Sequence, residues 1–461
     1  MLAVSIRMAR VPRLALAAST LVLACNALLG IDDPILDGQP AAGDAGDAGT
    51  FPDCGAPPSP DDGPIYVLAS GGVDDAACGA HGSPCATIAF AIVQAQHASK
   101  TNVRVGPGTY RESIALAPGI TIEGGYFAEK QGDEYAWIPD CLAQPKPSDD
   151  VHIAPDVAIP VTAVDLGGTA TLSTLTIDPS AKPTAGESLY GIVAIGATTH
   201  LELVDVIVAP ADAADGATGT AGEDGSAPSG PCPVGDGGDG VLPGSPGGGA
   251  DAGSVDPSGY RGPQGASGST GEQGSNGEAG GDGACITCPP CNATCSGTSS
   301  KQCGDAGVSG CGGAGGDGGG GGGAGGSSIA LFVWGATVHA TGGSLRSGAG
   351  GQGGAGGGGG QGAPGTVGSE GRTTDGCNTT CVAVVGCSGF MKAAGGAGTR
   401  GGAGAAGGQG GGGAGGWSYA VVTGGGAIAD VPDETLDHSN FGRGGAPGGA
   451  NGRAGKRYPD P

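Results

Sequence analysis

Cysteines are the residues of this chain best suited to chemistry, and 15 of them are present. In the stretch CITCPPCNATC, Cys285, Cys288, Cys291 and Cys295 stand two, two and three residues apart. Thiolates at that spacing can wrap an iron–sulfur cluster, and four thiolates also suit a structural zinc. Ser296 stands where such a run has a proline, and no second run of this kind accompanies it. Disulfides are therefore the expected chemistry, with no metal and no cofactor, in a chain whose N-terminus reads as an export signal. With Cys25 set aside for another role, an even number of cysteines remains. Cys78 and Cys85 bracket a turn and can pair with each other or with Cys54 and Cys141. A first glycine-rich stretch holds Cys232, Cys285, Cys288, Cys291, Cys295, Cys303 and Cys311, and a second holds Cys377, Cys381 and Cys387. Both sets are odd, so if every thiol pairs, at least one bridge leaves each stretch.

No catalytic set can be assembled from the other side chains. Asp149 and Asp150 precede His152, and Arg104, Arg111 and Arg346 lie beside short apolar runs, but solvated turns account for all of them. His81, His97, His152, His200, His339 and His438 are scattered, with His200 and His339 expected at matching places in two repeats. Trp137, Trp334 and Trp417 are the three tryptophans available for stacking on sugars. The 44 acidic residues against 19 Lys and Arg exclude a nucleic-acid backbone binder, which needs a basic surface.

Residues 1–24 carry Arg7, Arg10 and Arg13 before an apolar run, as a signal peptide does. Val22-Leu23-Ala24-Cys25 resembles a bacterial lipobox, which implies a lipid on the Cys25 thiol and a membrane partner reached through that anchor. Asn26, where an Asp would imply retention at the inner membrane, points to the outer membrane or surface of a Gram-negative cell. Residues 25–64 are rich in Asp, Pro, Ala and Gly and form an acidic tether.

The elements that must position these residues repeat. YGIVAIGATTHLELVDVIVAP at 190–210 pairs two β-branched runs through a small-residue corner, and the outline returns at 328–347 and 417–441. Apolar residues two apart suit the inward face of strands, with Leu172, Leu175 and Ile177 placed like Leu203, Val206 and Val208. This is the pattern of a parallel β-solenoid, in which Leu203 and Val208 lie beside Ala340 and Leu345 despite more than a hundred intervening residues. A helix is expected over 84–98, capped by Ser83 with Pro84 first and with Ile88, Ala91, Ile92 and Ala95 on one face. Short strands at Val103–Val105, Ile114–Leu116, Ile120–Ile122 and Val151–Ile153 follow it. The PCATI helix followed by VRVGPGTYRESIAL and GITIEGG resembles the N-terminal cap and first coils of pectin-lyase-like right-handed parallel β-helix proteins. That resemblance implies an all-β fold with a cap helix over the open first coil, and it admits a polysaccharide lyase or carbohydrate-binding protein as the alternative function. The GHG and RIK elements of the hydrolases of this fold do not occur in the chain.

Two excursions leave the expected β-helix. In 211–326, Gly262, Gly265, Gly268, Gly271, Gly274, Gly277, Gly280 and Gly283 keep a spacing of three, which suits an extended loop or a small bundle of glycine helices. The second, 348–415, shows little strict period and reads as a flexible low-complexity loop. The expected organisation is cap and coils over 65–210, single coils at 327–347 and 416–443, and a glycine-rich tail at 444–461. The apolar pattern thins toward the last coil. The function expected is a lipid-anchored surface protein for structure, display or adhesion, without catalysis, whose partners are the membrane and extracellular polysaccharide or other surface components.

Overall fold

The computed structural model of the chain describes residues 63–132, 134–139, 150–230, 232–283, 286–287, 301–302, 304–372 and 394–459. Parallel strands dominate, with one α-helix near the N-terminus. The opening strands are β1 (Ile65–Val67), β2 (Asn102–Val105), β3 (Gly108–Tyr110), β4 (Ile114–Ala115) and β5 (Thr121–Glu123). A hairpin of β6 (Tyr126–Gln131) and β7 (Glu134–Pro139) precedes β8 (Val151–Ile153), β9 (Val161–Val164), β10 (Gly168–Ile177), β11 (Leu189–Ile195) and β12 (Thr199–Val208). The short pairs β13 (Ser254–Asp256) with β14 (Gly259–Arg261) and β15 (Ile286–Thr287) with β16 (Lys301–Gln302) are antiparallel. Then come β17 (Ser328–Trp334), β18 (Thr337–Thr341), β19 (Ser344–Arg346), β20 (Ser418–Gly424), β21 (Ile428–Asp430), β22 (Leu436–Asp437) and β23 (Ala454–Tyr458).

From β9 onward the chain passes alternately between two parallel sheets. One runs β1-β2-β5-β10-β12-β18-β21, with β3, β8, β19 and β22 beside that path, and the other runs β23-β20-β17-β11-β9-β4. Each turn of the chain therefore lays one strand on each sheet, the winding of a β-helix-like solenoid. Register follows the apolar alternation. Ile122, Leu172, Leu203 and Ala340 stack in line, as do Ile153, Ile177, Val208, Leu345 and Leu436, and all are buried. The pairs Leu203 with Ala340 and Val208 with Leu345 are those expected across the first excursion.

Leu172 and Leu175 both face inward although they are three apart. Thr174 makes this so by taking a positive φ of 54°, and Asp205 does the same one coil later at 51°. A non-glycine residue in that region carries a strain of roughly 1 kcal/mol or more. The third coil relieves it with Gly342 and Gly343, also at positive φ, between Ala340 and Leu345. His339 does not match His200. The register sets Thr337 beside His200 and Glu202 beside His339. The corner from Trp334 to Thr337 is two residues shorter than the corner from Ile195 to His200, which displaces the second histidine.

Helix α1 (Ile88–His97) lies over the first coil with Ile88, Ala91, Ile92 and Ala95 buried. It starts later than the expected 84–98, and its N-cap is Thr87, whose side chain accepts from the Phe90 N–H. Pro84 and Cys85 are held elsewhere: the Pro84 carbonyl accepts from Val73, Cys85 bridges to Val67, and Cys85 is disulfide-bonded to Cys78. The unpaired N–H groups at the start of α1 are met by acids from other segments. Glu112 accepts from Ile88 at 2.7 Å and Ala89 at 2.9 Å, and Asp74 accepts from Ala86 and Thr87. Burial holds the Glu112 carboxyl above its usual range despite those bonds.

The other end of the solenoid is closed by Arg457 on β23. Its guanidinium donates to the carbonyls of Ala429 and Val431 and lies 2.9 Å from Asp433, so acceptors of the last coil are met by a cation rather than by another strand. Charged residues at a terminal strand oppose edge-to-edge pairing. Against the outer face of the second sheet, the β13–β14 hairpin brings Tyr260 to Trp417, which is fully buried among Tyr260, Tyr419 and Tyr458. Burial pushes the Tyr260 phenol up to about 12.

Serine hydroxyls splice the strands to the glycine-rich segments. Ser328 donates to Ala211 O and accepts from Gly348, while Ser327 accepts from Trp417 and Ser188 from Ser327. Ser418 Oγ lies 3.0 Å from Ser347 Oγ, donates to Gly348 O and accepts from Ser439. Ser327, Ser328, Ser347 and Ser418 are all buried. Ser418→Ala strands several of these partners at once. Its expected cost is about 2 kcal/mol, read as a lowered denaturant midpoint, and a midpoint equal to wild type would remove the splice from the account.

Candidate binding platform

The residues between the coils form a bundle of polyproline-II-type glycine helices. Helix I spans 211–226, II 238–250, III 262–283, IV 304–326, V 348–372, VI 394–416 and VII 440–445. Their backbone bonds recur at every third residue. Gly307, Gly310, Gly313, Gly316, Gly319 and Gly322 of IV donate in turn to residues 396, 399, 402, 405, 408 and 411 of VI. A strand ladder repeats every two residues, whereas a three-residue repeat is that of a threefold helix with no bonds inside itself. No glycine of 304–326, 348–372 or 394–416 has a positive φ, as such helices require. In its described residues the second excursion is therefore ordered helices V and VI, not the flexible loop expected from its composition. In the first excursion the glycine-bundle alternative holds.

The helices alternate in direction, out from the coils and back. Helix IV bonds to I, III, V and VI, and helix VI bonds to II, III, IV, V and VII. Such contact needs bare backbone. A Cβ added at Gly316 would approach the Gly360 carbonyl, and one at Gly407 the Asp317 carbonyl, both well under the 3.0 Å that real Cβ atoms keep. Where a row faces solvent, side chains return: Gln352, Ala355 and Gln361 share one three-residue row of V with Gly358, and Gln352 and Gln361 are exposed.

At the rim, aspartates complete the pairing. Gly216 donates to Gln352 O while Asp215 Oδ1 accepts from Gln352 N at 2.6 Å, so two adjacent residues of helix I grip one residue of helix V from both sides. Asp212 with Ala213 grips Ala349, Asp224 with Gly225 grips Gln361, and Asp239 with Gly240 grips Ala403. These acids were not singled out from sequence. The legible signal is an Asp placed just before a residue of the three-residue donor row.

Helix IV spans roughly 70 Å at the rise of a polyproline-II helix, and its outer end adjoins those of III, V and VI. A Cβ on Gly283 would meet Ala394 and Gly304, and one on Gly371 would meet Asp305 and Gly395. The chain positions that lead into residues 284–303 and 373–393 thus lie together at one end. Of the predicted disulfide cysteines, Cys78–Cys85 and Cys232–Cys311 are bonded, the second wholly inside the first excursion. Cys25, Cys54, Cys141, Cys285, Cys288, Cys291, Cys295, Cys303, Cys377, Cys381 and Cys387 lie outside the described residues.

Two of the three arginines considered for catalysis, Arg104 and Arg346, each hold one acid. Arg104 is 3.8 Å from Glu123 with its guanidinium over the Tyr126 ring, and Arg346 is 3.5 Å from Asp437. Among the described residues no further acids gather around either. His152 contacts Asp178 at 3.0 Å, Asp150 is exposed, and Asp149 lies outside the described residues. Trp417 is buried, Trp137 packs on Tyr66 and donates to His81 O, and Trp334 lies against Phe332 and over Gly424 and Gly425. No helix among the described residues is long and apolar enough to cross a membrane. No protein-family model matches the chain, and neither the curated proteins nor the solved structures give a match.

Proposed function

We propose that the chain is a lipid-anchored cell-surface protein in which a right-handed β-helix of the pectin-lyase-like kind carries the glycine-helix bundle as a rigid, non-catalytic platform for display or adhesion. One observation supports this reading most: about 70 Å of helix is locked by backbone bonds at every third residue, and its outward side chains repeat at the same interval. Such a body offers a stiff surface and long reach. Lipid at Cys25 and the acidic tether of residues 25–64 would hold it off an outer membrane.

The polysaccharide-lyase alternative requires acids from several coils around a basic arginine, whereas Arg104 and Arg346 each meet a single carboxylate. Two measurements test the proposal together. Cells expressing the chain should incorporate labelled fatty acid into it, lose that label in Cys25→Ser, and expose the bundle to added protease. The purified soluble form should release no unsaturated product from acidic polysaccharides, with or without calcium. Product formation, or label retained in Cys25→Ser, would overturn the corresponding half of the reading.

A further inference from the structure

On the outer face of the first sheet, away from the bundle, four metal-capable side chains share one neighbourhood. His200 and Glu202 of β12 and His339 of β18 project outward between buried residues on their strands, and Asp430 of β21 is exposed beside them. The register sets Glu202 beside His339 and His339 beside Asp430 across three successive parallel strands, about 4.8 Å apart. His200 precedes Glu202 by two residues on the same face, so it is the diagonal neighbour of His339.

His339 is already oriented. Its Nδ1 lies 3.2 Å from Asp430 Oδ2. A proton on Nδ1 donated to that carboxylate leaves the Nε2 lone pair directed away from Asp430, the arrangement by which carboxylates orient metal-binding histidines. We propose that His200, Glu202 and His339 bind a divalent ion of the zinc class, with Asp430 as the positioning residue for His339. Two imidazoles and one carboxylate with solvent in the fourth place suit a tetrahedral ion of borderline softness. Among the described residues, the His200 and Glu202 side chains make no hydrogen bond or ion pair, so they are free to turn toward His339. Two carboxylates and two imidazoles supply the mixed oxygen and nitrogen donors that such an ion takes. The ion would staple β12 to β18 and, through Asp430, steady β21 in the sparsely packed last coil.

The test uses the untagged oxidised chain with any free thiols alkylated, titrated with Zn2+ by calorimetry and melted with and without the ion. One saturable site is expected, lost in His200→Ala and in His339→Ala, and weakened 10- to 100-fold in Asp430→Asn. Zn2+ should raise the melting temperature of wild type but not of His339→Ala, while His438→Ala, at an exposed histidine elsewhere, behaves as wild type. Binding of equal strength in a His200→Ala, His339→Ala double variant would overturn the proposal. So would the lack of saturable binding in wild type at millimolar Zn2+, or an Asp430→Asn affinity equal to wild type.

Discussion

Alanine at Gly319 unseats the glycine-helix bundle, whereas alanine at Gly358 leaves it as stable as before or slightly more so. Both are glycines in long glycine runs, and composition gives no reason to separate them. Gly319 lies in helix IV, where a Cβ would press into the carbonyl group of Gly357 and the neighbouring Gly358 carbonyl. Those atoms belong to backbone already bonded to helix IV, through Gly357 N to Gly320 O, so relief requires parting two helices along their length. Overpacking of this kind costs on the order of 3 kcal/mol or more. Gly358 sits in the row of helix V that faces solvent, with nothing within 4 Å of the position a Cβ would take. Its φ is not positive, so alanine there restricts the unfolded chain more than the folded one and adds roughly 0.4–1 kcal/mol. Chemical denaturation of the two variants beside wild type reads the difference. Equal effects would mean that helices IV and V are not in backbone contact.

The parts of this architecture that were legible in sequence are those in which one periodicity acts alone. Coil strands show a period of two because one face is core, and this places Leu203 with Ala340 without any knowledge of the 211–326 insertion. Helix III shows a clean period of three because it lies toward the rim and keeps a single row of obligatory glycines, Gly262 to Gly283. Helices V and VI sit among more neighbours and need two rows. In V, the series Gly350, Gly353, Gly356 and Gly359 interleaves with Gly351, Gly354, Gly357 and Gly360. Two superposed three-residue periods look like unpatterned glycine, so order is mistaken for flexibility. The start of α1 was missed for another reason. Ser83-Pro84 has the local chemistry of a helix start, but the long-range pairing of Cys85 with Val67 claims that segment, and tertiary contact overrides the local signal. The Asp clamps and the serine splice were illegible because each depends on which distant residue stands opposite.

Loss of the Cys232–Cys311 bridge is expected to lower stability more than loss of Cys78–Cys85. The two bridges close loops of very different length, with sequence separations of 79 and 7. In the chain-entropy account the longer one restricts the unfolded chain by about 4 kcal/mol and the shorter by about 2 kcal/mol. Packing adds to the contrast. Cys311 is buried within helix IV, and Cys232 lies on the crossing from helix I to helix II, which Ser309 also holds by donating to the Cys232 carbonyl at 3.1 Å. Without the bridge, that crossing is tied to helix IV mainly through a hydroxyl, and the start of helix II, far from the coils, is held only by its bonds to helices III and VI. The Cys232→Ser, Cys311→Ser double variant should therefore show a lower denaturant midpoint than Cys78→Ser, Cys85→Ser. It should also show the earliest amide-exchange losses in residues 238–250, with the core strands β10 and β12 still protected. Cap disulfide loss should instead loosen α1 and β1 first. If the two double variants lose equal stability and expose the same segments, the bundle and the coils unfold as one unit and the bridge does not act on helix II in particular.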